Sequence, residues 1–443
     1  MDRNSNPSTT TRSAEIFERA RRVMPGGVSR NTVLRAPYPP YAHHGEGCRL
    51  VDIDGISRID FSNNMASLIH GHAFPPIVEA VSAQLARGSA FMMATEAEVD
   101  YAEHLCSRNP SFERVRFVNS GTEALMAALK AARAFTGRPK IAKVEGAYHG
   151  GYDYAEVSQA PKPETWGSID HPESVALSHG SPQSALDDVV IIPFNDTERA
   201  LAILDEHRDD LACVLLDLMP HRVGLTVAEE GFVTALREWA TRNGALMVLD
   251  EVITFRSEFG GLQSRYPVQF DMSALGKIIG GGFPAGAVVG RAEIMDVMNP
   301  ETAKLRYPLS GTFSANPMTM TAGLVAMQHF DRAAVARLNA LAARAIHGIG
   351  EAIARTGARA CVTGSGSMFR VHMKERVPAN YREAYTTPEE SKRLKMLLDH
   401  LFDEGFMMIN TCSATLSTPM GEAEIDALVA AMESGFRRMV AAG

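Results

Sequence analysis

The chain of 443 residues exceeds the ~100–200 residues of one ordinary core, so a large domain with a smaller companion is expected. Its 45% apolar and 22% charged residues exclude a mainly disordered chain. A formal net charge of −8 argues against nucleic acid or an anionic membrane surface as partner, and no run of ~18 apolar residues is present to span a bilayer.

In chain order, Met1–Arg12 is polar and lacks the apolar centre of a signal peptide, which predicts a disordered start and a cytoplasmic protein. The scattered Cys48, Cys106, Cys213, Cys361 and Cys412 form no C-x-x-C pair and read as reduced thiols, mostly core filler. His43-His44 and His70-x-His72 have no carboxylate or cysteine at ligand spacing, so packing or capping is predicted and no metal. Val115–Val118 reads as a strand. Asn119-Ser120-Gly121-Thr122-Glu123 then opens a helix to Thr136, closed by Gly137, with Ser120 and Glu123 at capping-box spacing. Ile141–Val144 is a further strand. The stretch from Gln159 to Ser184, rich in Pro, Ser, Gly and His, reads as a long lid-like loop.

Leu211–Asp217 is a continuous apolar run suited to a strand buried on both faces. Gly231–Arg242 is an amphipathic helix with Gly244 as its C-terminal glycine, and Ala245–Leu249 is another buried strand, ending in Asp250-Glu251. This alternation predicts an α/β protein with a mostly parallel sheet and helices on both faces. Beyond residue 325, helical Arg332–Arg355, strand-like Met368–Met373 and helical Pro388–Phe406 predict a smaller α+β domain. The expected division is 1–12 disordered, 13–65 joining the small domain, 66–325 large and 326–443 small. Gly280-Gly281-Gly282 and Gly364-Ser365-Gly366 are not phosphate loops, because no Gly-Lys-Ser/Thr follows.

Three features fall at the C-terminal ends of strands, where such sheets place ligands. Ser120-Gly121-Thr122 joins a strand to a helix start, where free N–H groups and the helix dipole favour an anion; the same signal also suits an ordinary N-cap. Asp250 ends a buried strand and needs a partner, either a protonated ring nitrogen or a structural cation. Lys277 stands between apolar residues and glycines in Leu275–Gly282; a lysine desolvated there gains nucleophilicity toward carbonyls, whereas most lysines are solvated surface charges. A phosphate cradle, a strand-end acid and a desolvated amine together describe pyridoxal 5′-phosphate (PLP) chemistry.

With these, Met24–Arg30, Asn119–Ala124, Gly146-Ala147-Tyr148-His149-Gly150, Asp250-Glu251-Val252, Gly276-Lys277 and Gly311–Pro317 give the chain a resemblance to class III aminotransferases over nearly its whole length. It most resembles the branch of glutamate-1-semialdehyde aminomutase and the β-amino-acid (β-phenylalanine-type) aminotransferases. The resemblance implies a PLP-dependent transferase of fold type I, working as a homodimer with shared active sites on small amine and keto-acid substrates. It implies Lys277 as the Schiff-base lysine, Asp250 on the pyridine nitrogen, and Tyr148 and Val252 on the two ring faces. Ser120, Gly121 and Thr122 would hold the phosphate, with Thr312 reaching the neighbouring subunit's phosphate and His149 tuning the site or making a structural hydrogen bond. Arg30 would grip a substrate carboxylate, with Asn64 and Thr411 also facing substrate.

The sequence departs from that pattern at three places. Asp250-Glu251-Val252-Ile253-Thr254-Phe255-Arg256 lacks a usual glycine. The stretch Met408–Ser413 lacks the arginine of the β-amino-acid enzymes. The usual Glu-Pro is Asp217-Leu218, followed by His221 and Arg222, which read as solvated loop residues or as substrate contacts. The expected activity is ping-pong amino transfer from a carboxylate-bearing amine to a keto acid, with intramolecular aminomutase or racemase chemistry as the alternative.

Overall fold

The computed structural model describes residues 11–441. The expected disorder of 1–10 lies outside them. Thr11 and Arg12 are ordered instead: Thr11 caps the helix Arg12–Ala20, and the Arg12 amide donates to Asp54 Oδ1 at 2.9 Å. Short strands β1 (Ala42–Glu46), β2 (Arg49–Asp52) and β3 (Ser57–Asp60) follow.

The central sheet is built from β4 (Arg114–Val118), β5 (Lys140–Val144), β6 (Val189–Ile192), β7 (Leu211–Leu216), β8 (Leu246–Asp250), β9 (Met272–Gly276) and β10 (Gly286–Gly290). Its order is β4-β10-β9-β8-β7-β5-β6. Only β10 runs against its neighbours, pairing antiparallel with β4 and β9. The C-terminal ends of β4, β5, β7, β8 and β9 therefore share one edge.

The apolar run of β7 is buried at every position. Its side chains alternate between two cores. Val214 and Leu216 join Phe232, Leu236 and Trp239 of the helix Glu230–Asn243, while Cys213 and Leu215 join the alanine-rich face of the helix Gly121–Thr136. That two-sided burial is why the strand reads as a continuous apolar run.

The C-terminal part holds β11 (Cys361–Ser365), β12 (Met368–His372), β13 (Phe406–Met407) and β14 (Ser413–Thr415). The sheet β11-β12-β14 is antiparallel and packs with the helix Arg332–Thr356, which lies against Glu422–Ala441. The helix from Pro388 stops at Asp403, short of the expected Phe406, because Gly405 takes φ +92° and Phe406-Met407 pairs with β3. The N-terminal and C-terminal segments thus share a sheet. Among the described residues no helix is long and apolar enough to cross a membrane.

Candidate active site

The helix Gly121–Thr136 begins where β4 ends. Ser120 Oγ accepts from the Glu123 amide at 3.1 Å, as the spacing predicts. The reciprocal bond is displaced by one residue: Glu123 Oε2 accepts from the amide of Asn119, not Ser120. The amides of Gly121 and Thr122 remain as first-turn donors without a helical carbonyl.

Gly121 is required by packing. A Cβ there would stand 2.8 Å from Val252 Cγ1, and one on Gly276 would stand 3.1 Å from the same methyl and 3.3 Å from Gly121 Cα. Val252, which follows β8, therefore sits against both the helix start and the residue before Lys277. On the other side, a Cβ on Gly150 would reach within 2.5 Å of Thr122 Oγ1. Glycine brings the loop Glu145–Gly150 onto the helix N-terminus.

Asp250 is the last residue of β8 and is buried. Its Oδ2 lies 2.8 Å from His149 Nδ1, and its Oδ1 accepts from the Val252 amide at 3.0 Å. His149 is itself buried, and burial holds its pKa below the usual histidine value despite the nearby Asp250. Its Nε2 is buried without a partner. The histidine thus bonds the acid directly, joining the tuning and structural readings.

Lys277 follows β9 at φ +51°, a left-handed conformation that costs a side-chain-bearing residue about 1–2 kcal/mol. Such strain concentrates at functional sites. Burial lowers its amine's pKa, opposed by Asp250 and Asp217.

Asp217, just beyond β7, is a site residue that the sequence marks only as a departure. Leu216 pairs with Leu249, so Asp217 and Asp250 end adjacent parallel strands. Burial first, then the charge of Asp250, raises the Asp217 carboxyl well above the usual carboxylate range. Glu251, by contrast, is structural: buried and raised to about 7, it ties Thr254, Leu262 and Gln263 together.

Tyr148 is half exposed, so it is not a core aromatic. Arg222 lies 5.4 Å from its ring centroid. His221 and Arg222 are partly buried, which corrects the solvated-loop reading. His221 Nε2 lies 3.1 Å from both Thr411 Oγ1 and Ser413 Oγ.

Arg30 and Asn64 meet each other: Arg30 Nη1 donates to Asn64 Oδ1 at 2.6 Å. Asn64 lies in four consecutive left-handed residues, Asn63 to Ala66, with φ from +44° to +71°. Asp60 accepts from Ser62 and Asn63, and the fully buried Arg256 donates to the Ala66 carbonyl, bracing this strained turn. Arg30 and Asn64 line a cavity of about 950 Å³ with Leu68, Gly282 and Asn410. Lys277 and Asp250 do not line it, whereas Gly282, on the loop after Lys277, does. Thr312 is exposed.

His70 and His72 are occupied structurally, whereas the exposed His43 and His44 bond each other. His70 bonds Thr418 and the Ala326 carbonyl, and His72 bonds Asp60.

Burial sets a pH dependence of stability. It depresses His221 and His372 to about 3 and His70 to about 4. Between pH 6.5 and those values the unfolded histidines bind protons that the folded ones do not. Stability is therefore full above pH 6.5 and falls below it, by roughly 1.4 kcal/mol per pH unit per fully depressed group. The melting temperature of the apoprotein should drop from pH 7 to pH 5, and less steeply in His372→Gln; a flat profile would refute this.

The donor set suits one kind of cofactor. A helix N-terminus with two spare amides and a threonine hydroxyl fits a phosphate, a strand-end carboxyl fits a protonated ring nitrogen, and a desolvated amine fits an aldehyde.

The chain is similar to known proteins over most of its length. Residues 35–429 match the family model described as aminotransferase class-III. A glutamate-1-semialdehyde 2,1-aminomutase of Methanothermobacter thermautotrophicus is 38% identical over 374 residues, covering 84% of this chain and 86% of that one. An omega-transaminase from Sphaerobacter thermophilus superposes with a TM-score of 0.95 at 46% identity, covering 98% of this chain and 99% of that one. A β-phenylalanine aminotransferase from Variovorax paradoxus gives 0.85 at 33% identity, covering 95% and 93%.

Proposed function

Because the chain belongs to the class-III aminotransferases, PLP enzymes of fold type I, we propose that it transfers the amino group of a β-amino acid to a keto acid. The observation that carries this reading is the desolvated Lys277 amine among Asp250, Asp217 and the Gly121 helix start. The high likeness to the omega-transaminase over almost the full length favours transfer between two substrates. The likeness to aminomutases keeps intramolecular migration as the second reading.

Bound here, PLP supplies a protonated pyridine that takes up the electron pair left when the substrate C–H bond breaks. The other parts are played by the chain. The amides of Gly121 and Thr122 and the Thr122 hydroxyl bind the phosphate. Asp250, oriented by His149 and the Val252 amide, keeps the ring nitrogen's proton in place. Tyr148 and Val252 provide the surfaces for the ring. The Lys277 amine would take the proton from the donor carbon and carry it past the transferred nitrogen to the carbon on its other side. Arg30, held by Asn64, binds the carboxylate.

A half-reaction screen tests the function. A β-amino acid should convert the yellow pyridoxal enzyme to the pyridoxamine form in one turnover, with release of a keto product. A separate keto acid should then be needed to restore it. Recovery of the pyridoxal form without any keto acid would establish the mutase reading.

Arg30→Ala should weaken carboxylate substrates by about 2–3 kcal/mol in kcat/KM, the value of a charge-assisted bidentate contact, and neutral amines far less. Equal losses would remove Arg30 as the anchor.

We also place two copies at the working site. Phe91, Met92 and Met93 are strongly exposed, as is Phe313 beside Thr312, and apolar exposure of this kind marks a protein interface. The mass in solution should be that of a dimer, and Met92→Asp should shift it toward the monomer; a monomeric wild type would exclude shared sites.

A further inference from the structure

One buried hydroxyl reaches the turn that carries Lys277, and no step above uses it. Tyr101 lies in the helix Glu96–Arg108 and is fully buried, and its hydroxyl donates to the Ile279 carbonyl. Ile279 belongs to the single turn of 3-10 helix, Lys277–Gly280, that leaves β9. Burial pushes the Tyr101 hydroxyl's pKa up, so the group stays protonated and donates at every working pH.

The same side chain faces the other half of the site. Its ring stacks on Phe117, with centroids 5.4 Å apart and an interplanar angle of 19°. Phe117 is in β4, whose end opens the helix at Gly121. One tyrosine therefore touches both the turn that presents the amine and the strand that feeds the helix start. The approach is close enough to demand glycine from a third element. A Cβ on Gly323, in the helix Pro317–His329, would stand 2.6 Å from Tyr101 Cε1 and would overlap the Ile279 carbonyl oxygen.

The turn needs such a hold. Lys277 stands at φ +51°, and a strained backbone persists only where its surroundings over-determine it. A buried tyrosine must also find an acceptor for its hydroxyl, a demand that an apolar ring at the same place would not make. Here that acceptor is the lysine turn itself.

We propose that Tyr101 is a positioning residue for Lys277: its hydroxyl fixes the turn that presents the amine, and its ring sets that turn against the strand leading to the phosphate-binding helix. The proposal rests on the PLP aminotransferase reading above, since it concerns where the amine meets the cofactor.

Tyr101→Phe keeps the ring and removes one oxygen. Leu105→Ala, one helical turn along the same buried face, is the control for lost packing. Apoenzyme titrated with PLP and followed by its visible absorbance should bind the cofactor at least about tenfold more weakly in Tyr101→Phe, and within about twofold of wild type in Leu105→Ala. In turnover of a β-amino acid, kcat should fall about tenfold in Tyr101→Phe, because the amine is misplaced. KM should change little, because the Arg30–Asn64 pair stands on other elements. Leu105→Ala should lower the melting temperature at least as much as Tyr101→Phe does, with kcat kept. A Tyr101→Phe enzyme that melts lower but keeps wild-type PLP affinity and kcat overturns the proposal, as do equal losses of both in Leu105→Ala. An enzyme that binds PLP but accepts no amino group from any donor sinks the aminotransferase reading instead, and the PLP titration still judges Tyr101.

Discussion

Replacing Lys277 by alanine should lower kcat by at least about 10⁴-fold, because one amine serves both as the covalent attachment and as the proton carrier. The fold should survive. Position 277 sits at φ +51°, where alanine and lysine meet the same backbone penalty, so the substitution adds no strain. It also removes an amine whose pKa burial lowers, with Asp250 and Asp217 opposing. The apo variant should melt within a few degrees of wild type, and Lys277→Gly should match or exceed it by relieving the left-handed strain. Multiple turnovers at the wild-type rate in Lys277→Ala would end the assignment. A collapsed melting transition would show that the lysine holds the turn rather than the chemistry.

The sequence announced the central strands best where burial is two-sided. Leu211–Leu216 and Leu246–Asp250 stand out because both faces are covered, leaving an unbroken apolar run. The glycine-capped helix ends at Gly137 and Gly244 were equally legible, since both residues take the left-handed conformation that sequence alone can signal. β9 was foreseen only as a strand of no stated range ending before Lys277, and β10 was not foreseen. Gly286-Ala287-Val288-Val289-Gly290 is short and glycine-bounded, and only its antiparallel pairing with β4 and β9 makes it a strand. The left-handed turn Asn63–Ala66 had no glycine to give it away; Asp60 nearby and the distant Arg256 and Thr415 hold it.

At the site, motif residues clustered at strand ends were readable because each needs a particular chemistry at a particular junction. What escaped were groups defined by neighbours far along the chain. Asp217 becomes unusual only when β7 and β8 lie side by side. Arg370 resembles any strand arginine until the fold buries it behind His221. A signal was present for one of them: an acid closing a fully apolar strand, as at Asp217, carries the same burial cost that drew notice to Asp250.

That pairing gives Asp250→Asn an effect with two parts. The amide keeps the shape of the carboxylate and can still accept from the Val252 amide, so the β8 end should stay in place. It cannot supply the negative charge that keeps a ring nitrogen protonated. Losing one partner of a buried charge pair costs about 3–5 kcal/mol, or ~10² to ~5 × 10³ in kcat. The loss should be partial, because removing the charge at 250 also removes a cause of the raised pKa at Asp217. That neighbour then ionises more readily and returns part of the field felt by Lys277. A double-mutant cycle reads this directly. Asp217→Asn alone should cost far less than Asp250→Asn, yet the double variant should fall well below the product of the two single effects. Near-wild-type kcat in Asp250→Asn would dismiss the acid at 250 as the ring's partner. A strictly additive cycle would leave that role intact and show that Asp217 does not take up the charge.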